Sequence, residues 1–199
     1  MSREHWDERY ETGEVSWSTD PNQFLVDELE PLPPGRARDV ACGRGRNAVW
    51  LASKGWRVTG VDFSHAGLAM ARQLQADRAV EVDWIEADAV EWEPPPASFD
   101  LVVVMYLHLP AEQRRRVLSH ADSALAPGGV LLVVGHDISN LSDGTGGPKD
   151  ATVLCGPEQV VAELSGLRVE RAERVKRTVV GEDAEATAID LLVRALRPS

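Results

Sequence analysis

The sequence predicts an α/β fold built on a doubly wound, mostly parallel sheet of seven strands that ends in an antiparallel hairpin. Three observations carry this. Strand-like apolar runs alternate with helical patterns from residue 36 to residue 135. Several of those runs, "LVVVM" at 101–105 among them, are apolar on both sides, as strands covered by helices on both faces must be. From residue 167 onward, two further strand-like runs follow each other with no helix between them. A chain of 199 residues, 43% of them apolar, is long enough for one such domain with a full core. One domain over 1–199 is therefore expected, with 1–35 forming an N-terminal helical lid and 36–199 the core.

In chain order, "DPNQFLVDELE" at 20–30 predicts a helix: Asp20 is placed to cap it, Pro21 suits its first position, and Phe24, Leu25 and Leu29 share one side. Pro31, Pro33 and Pro34 end it. A strand is expected near 36–41, a helix at 46–54 stopped by Gly55, a strand at 56–61 and a helix from about Ser64 to Gln75. Strands at 82–87 and 99–106 follow, then a helix over 110–125, which "APGG" breaks before the strand at 130–135. Residues 136–157 show no clear pattern, and a loop of that length is expected to serve function and to set acceptor specificity through its Gly-rich centre. Pro157 opens a short last helix. Runs 167–180 and 186–196 then pair across the turn-like "GED", with Ile189, Leu191, Val193 and Ala195 alternating with Asp190, Leu192 and Arg194.

Composition narrows the function classes. Lys and Arg number 21 against 32 Asp and Glu, a formal charge of −11, so there is no basic field to hold a nucleic-acid backbone or an anionic membrane. A small-molecule substrate is expected, with no nucleic-acid or membrane partner, and a monomer or homodimer. Cys42 and Cys155 stand alone, which gives neither a disulfide framework nor a zinc-ligand cluster, and no metal is expected. The charged opening "MSREHWDERYETGE" lacks the apolar stretch of a signal peptide, and no apolar run approaches the roughly 20 residues of a membrane helix. The expectation is a cytoplasmic protein.

The chemistry is expected at "DVACGRGRN", residues 39–47, where the first strand turns into a helix. Gly43 and Gly45 allow a sharp bend and close approach to a ligand, and the helix that follows offers free N–H groups to an anion. A plain structural turn has the same pattern, so context decides. Residues 43–48 also satisfy G-x-G-x-x-A, and Asp62 ends the next strand where a ribose-binding acid belongs, so a nicotinamide cofactor is one reading. Three features oppose it. Asp39 places a carboxylate inside a strand buried on both faces, Asp88 puts another acid at the ligand edge, suited to an exocyclic amine, and there is no second domain to hold a hydride partner.

"DVACGRG", "VTGVDFS", "ADA" and "LAPGGVLLVV", in that order, resemble the class I S-adenosylmethionine-dependent methyltransferases, a Rossmann-like family. The first strand and turn of that family read acid-x-Gly-x-Gly-x-Gly, and here Ala41 stands at the first glycine. "HWDERYETGEVSWS" and "CGRGRNAVWLASKGWRVTGVD" look closest to the tellurite-resistance and thiopurine methyltransferase branch. The resemblance implies an S-adenosyl-L-methionine site. Gly43 and Gly45 would pass close to the methionine moiety, while Asp62 would accept from both ribose hydroxyls. Phe63 would lie against the adenine, with Asp88 and the Ala89 backbone reading its edge. Asp39 would help fix the glycine bend and face the amino end, Arg46 and Asn47 would help hold the carboxylate, and Met105 and Tyr106 would border the donor from the other side. Trp17, with Trp6 and Tyr10, would form the lid over it.

Methyl transfer to such an acceptor is an in-line displacement, so positioning dominates and neither metal nor covalent enzyme intermediate is called for. The acceptor is expected to be a small molecule, including a soft nucleophile such as a thiol or a chalcogen oxyanion, which needs no base. An oxygen or nitrogen acceptor needs one. His108 and His136, just past the fourth and fifth strands, are the candidates for proton handling or substrate contact, against the plainer reading of satisfied loop histidines. His5, His65 and His120 are expected at the surface, and Cys42 as a small core residue. The late basic residues Arg171, Arg174, Lys176 and Arg177 align too loosely with the resembled branch to carry a role. Two other readings stay open: a nicotinamide-dependent oxidoreductase, and a non-catalytic module that retains the donor pocket.

Overall fold

In the computed structural model a seven-stranded sheet runs, in hydrogen-bonded order, through residues 82–86, 57–62, 36–40, 99–105, 125–136, 185–196 and 168–180. The structure describes residues 2–14, 18–29, 32–180 and 185–199. Its elements are α1 (Arg3–Glu11), α2 (Gln23–Leu29), β1 (Arg36–Val40), α3 (Arg46–Ser53), β2 (Arg57–Asp62), α4 (His65–Arg78), β3 (Val82–Glu86), β4 (Phe99–Met105), α5 (Ala111–Ala124), β5 (Leu125–His136), α6 (Asn140–Asp143), α7 (Pro157–Ala162), β6 (Arg168–Val180) and β7 (Glu185–Leu196). β2 pairs in parallel with β1 and β3, whereas β7 pairs antiparallel with both β5 and β6. The turn at 181–183 lies outside the described residues.

Contacts divide the chain into two compact units, Met1–Glu93 with Phe99–Val103, and Pro94–Ser98 with Val104–Ser199. In the first, Leu25, Ala37, Ala48, Leu51, Val61, Leu68, Ala71 and Leu101 are fully enclosed. α4 begins where expected because the Ser64 hydroxyl accepts from the Gly67 amide at 2.9 Å. α2 starts later than the sequence suggests: Asn22, not Asp20, caps it, with its side-chain oxygen 2.9 Å from the Phe24 amide, while Asp20 accepts from Ser18. Arg38 sits in mid-β1 at 1% exposure with its guanidinium 4.5 Å above the Trp92 ring, and burial pushes it down to about 10.

The second unit is organised by β7. The alternation in its sequence suggests a strand with one solvent face, yet Asp190, Leu191, Leu192 and Val193 are all buried, because β7 lies between β5 and β6 and is covered on both sides. Residues 136–157 are also less irregular than expected. They hold α6, a 3-10 turn at Ala151–Val153 and a bridge between Asp137 and Cys155. The Asn140 amide fastens this segment by donating to the Thr145 and Gly146 carbonyls and accepting from Ile189 N–H. His5 and His65 are exposed as expected, but His120 is half-buried with Nδ1 enclosed.

Candidate active site

The chain leaves β1 through a bend in which Ala41, Gly43 and Gly45 all have positive φ (54°, 54° and 76°) and α3 starts directly after Gly45. Glycine accepts this conformation at no cost, whereas Ala41 is strained in it. Asp62, at the end of β2, anchors the bend: one carboxylate oxygen accepts from Gly43 N–H and the other from Ser64 N–H, both at 2.8 Å. Burial raises the Asp62 pKa, and these amides pull it back only in part. Asp39 is more extreme. It is 1% exposed, neither oxygen meets a donor at hydrogen-bonding geometry, and burial, countered weakly by the nearby Ala48 amide and the Arg46 charge, pushes its carboxyl up to about 7.

Helix α1 packs on α4 beside this bend. Asp7 accepts from the Ser64 hydroxyl at 2.6 Å and from Ala66 N–H at 3.0 Å. Tyr10 is buried with its hydroxyl against Gly43, where a Cβ would come within 2.5 Å of it, and burial beside Asp62 raises the phenol's pKa.

A second cluster lies wholly within the other unit. Tyr106, just past β4, has φ 56° and donates its hydroxyl to Asp190 Oδ2 at 2.6 Å; Arg177 Nε reaches the same oxygen at 2.8 Å. Asp190 Oδ1 faces His136 Nδ1 at 3.1 Å. Burial alone would raise the Asp190 pKa, but bonds from His136, Arg177 and Tyr106 outweigh it and hold the carboxyl below its ordinary value. His108 stacks on His136 with ring centroids 5.4 Å apart, and its Nε2 accepts from the His136 backbone N–H at 3.2 Å. Burial and then the neighbouring His136 ring push His108 down to about 4. Both rings border a small cavity of about 30 Å³ walled mainly by Val104, Val117, Leu118, Val133 and Leu191.

Residues 38–129 match the model of a family described as a methyltransferase domain. Over that stretch the chain is similar to this methyltransferase-domain family. S-adenosylmethionine is the methyl donor of these enzymes. Demethylmenaquinone methyltransferase of Thermus thermophilus is 35% identical over 111 residues, 55% of this chain and 50% of that protein. The chain spans about half the length of the curated relatives it matches. The N-methyltransferase NodS of Bradyrhizobium japonicum, solved with S-adenosyl-L-homocysteine, superposes with TM-score 0.75 at 22% identity, covering 100% of both chains. TehB of Haemophilus influenzae gives TM-score 0.74 at 16% identity over 97% of this chain and 67% of its own. These structures show the fold, the Rossmann-like methyltransferase architecture expected from the sequence.

The first unit brings together Asp39, Gly43, Gly45, Asp62 and Tyr10. The expected role of Asp39 in fixing the glycine bend falls instead to Asp62, whose carboxylate reaches the amides that Asp39 does not. Asn47 is buried with its side-chain oxygen accepting from Asn22 N–H at 2.9 Å, which ties the start of α3 to the residue ahead of α2. Arg46 stands at the start of α3. Phe63 is half-buried, Ala89 is buried, and Asp88 is exposed with one oxygen accepting from Val90 N–H at 2.8 Å. Trp17 lies outside the described residues. Met105 is buried at the end of β4.

His108, expected as a candidate for proton handling, has its Nε2 engaged by a backbone donor. Asp190 and Arg177 are the residues that sequence reasoning missed. The only signal was an acid placed centrally in an apolar strand, the same signal that singled out Asp39. Arg174 is occupied by Glu158 and Asp137, and Arg171 by Glu173.

Proposed function

We propose that the chain is an S-adenosyl-L-methionine-dependent methyltransferase that moves a methyl group by in-line displacement to a small-molecule acceptor. The observation that carries the donor assignment is the pairing of a glycine bend, anchored by Asp62, with a second, unpartnered carboxylate beneath it at Asp39. A buried carboxylate left without a donor is explained by a cationic ligand group, and the donor's ammonium is one. Gly43 and Gly45 let the bend close tightly, with the Tyr10 hydroxyl against Gly43 and the Trp84 and Ala71 side chains against Gly45. Each Asp62 oxygen uses one lone pair on an amide and retains another for a ribose hydroxyl. Phe63 and the Ala89 backbone would face the adenine, Arg46 would assist at the carboxylate, and α1 would act as the lid through Tyr10. Bound there, the sulfonium supplies a methyl carbon already activated for displacement.

The formal charge of −11 favours a small acceptor over RNA, although one relative is named a ribosomal RNA methyltransferase. Another is named a phosphatidylethanolamine N-methyltransferase, and among the described residues no helix is long and apolar enough to cross a membrane. We place the protein in the cytoplasm, as a monomer or homodimer. The test is transfer of label from methyl-tritiated donor to a panel of thiols, selenite, tellurite, halides, phenols and amines. Saturable transfer to one class supports the reading. Thermal stabilisation by the donor with no transfer to any member shows a binding module instead.

A further inference from the structure

We propose that Arg177 anchors a binding site for a small aromatic carboxylate, formed wholly within the second unit by its guanidinium fork and the rings of Tyr106, His108 and His136. That the bound molecule is the methyl acceptor rests on the methyltransferase reading; that it binds does not.

Two arginines of β6 supply the comparison. Arg174 is saturated: its Nε donates to Asp137 Oδ1 at 3.1 Å, and Nη1 and Nη2 donate to the two oxygens of Glu158 at 2.8 and 3.1 Å. Arg177 begins the same way, with Nε 2.8 Å from Asp190 Oδ2 and 3.1 Å from the Tyr106 hydroxyl oxygen. Its Nη1 and Nη2, however, meet no hydrogen-bond partner among the described residues. The carboxylate that Glu158 brings to Arg174 has no counterpart there. A guanidinium presents these two nitrogens as a planar fork matched to the two oxygens of a carboxylate, so the fork specifies the chemistry of its ligand.

The fork is also held in place and reachable. Asp190 is fully enclosed and accepts the Tyr106 hydroxyl on the same oxygen at 2.6 Å, which fixes the Nε end of the guanidinium from both β7 and the end of β4. The Arg177 side chain keeps 23% of its surface exposed while that end is bonded to an enclosed carboxylate, so the terminal nitrogens are its accessible donors. An anion on the Nη edge meets those donors at contact distance and the Asp190 charge only across the width of the guanidinium, so attraction wins over repulsion.

The neighbouring rings set the character of the rest of the ligand. Arg177 Cζ stands 5.5 Å from the centroid of the Tyr106 ring. Tyr106 meets His136 edge to face at 5.2 Å, and His136 stacks on His108 at 5.4 Å. All three residues are partly exposed. A flat ring joined directly to the carboxylate gains contact with this cluster, whereas an aliphatic acid uses the fork alone. In a chain of formal charge −11, such binding is local to the fork and not a general affinity for anions.

The test is calorimetric titration of the full-length, donor-free protein with benzoate, benzamide, acetate and phenylphosphonate, repeated on Arg177→Gln, Arg177→Lys and Arg174→Gln. In the wild type, benzoate should bind about 10- to 100-fold more tightly than benzamide, its uncharged counterpart of the same shape, and about 5- to 10-fold more tightly than acetate, with phenylphosphonate weaker than benzoate. Arg177→Gln should abolish the preference for benzoate over benzamide, Arg177→Lys should keep about threefold or less of it because the charge remains without the fork, and Arg174→Gln should leave it unchanged. The wild-type ligand series needs no variant to fold. Benzoate bound no better than benzamide or acetate, phenylphosphonate bound more tightly than benzoate, or a preference that survives Arg177→Gln overturns the inference. A parallel titration with S-adenosylhomocysteine separates the two levels: benzoate binding without S-adenosylhomocysteine binding supports this site and overturns the methyltransferase reading, and the reverse overturns this site alone.

Discussion

Asp39→Asn is expected to make the donor-free protein more stable while weakening its hold on the donor. Asp39 is 1% exposed without a hydrogen-bond partner, and its carboxyl is pushed up to about 7 from an ordinary value near 3.8. At about 1.4 kcal/mol for each factor of ten, that gap puts the cost of holding the ionised form at about 4 kcal/mol. The sign follows from the direction. A carboxyl whose folded pKa lies above its unfolded one favours the fold fully below about pH 4, and that contribution is lost as pH rises to about 7. Asparagine has the same shape and never ionises. The variant should therefore melt higher than wild type at pH 8, by roughly 2–4 °C for each kcal/mol recovered, and the gap should close toward pH 4. Differential scanning calorimetry at pH 4, 6 and 8 reads this directly. In titrations with S-adenosylhomocysteine, wild-type affinity should rise with pH up to about 7, because ligand binding favours the ionised carboxylate. The Asn variant should bind about 10- to 100-fold more weakly at pH 8, the loss of one charge-assisted contact, and show a flatter pH dependence. A variant that is less stable than wild type at pH 8, or that binds the ligand equally well, refutes the reasoning.

Asp62→Ala removes the anchor of the glycine bend and strands the amides of Gly43 and Ser64, so donor affinity should fall by about a hundredfold or more in calorimetric titration. Ala41→Gly relieves a non-glycine residue at φ 54°. The gain of about 1–2 kcal/mol is offset in part by the extra freedom of glycine in the unfolded chain, for a net rise in melting temperature of about 1–4 °C. Gly147→Ala places a methyl against the His136 ring in a backbone conformation that disfavours it, a cost of about 1–3 kcal/mol that should lower the melting temperature by about 2–12 °C, as read by scanning calorimetry.

The order of strands and helices was legible because both signals it rests on are local: the two-sided apolar runs, and the Gly and Pro residues that interrupt them. The glycine bend and the acid that anchors it were legible for the same reason, since glycines at a strand end and an acid ending the next strand come from contiguous stretches. What the sequence did not reveal depends on contacts between distant residues. Asp190 reads as the polar side of an alternating strand, and only the insertion of β7 between β5 and β6 makes it a buried partner of Tyr106, 84 positions earlier. The surroundings of His108 and His136, which lie just past one strand and at the end of the next, differ through a backbone N–H and a carboxylate that meet them from elsewhere in the fold. Asn140, likewise, organises residues 136–157 through bonds to Thr145, Gly146 and Ile189 that no local pattern announces.

The most direct measurement is a calorimetric titration of the full chain with S-adenosylhomocysteine and, in parallel, with NADH. Saturable binding of the thioether at one site, lost in Asp62→Ala, with no measurable binding of the dinucleotide, is the expected result. Tight binding of NADH with none of S-adenosylhomocysteine would contradict it.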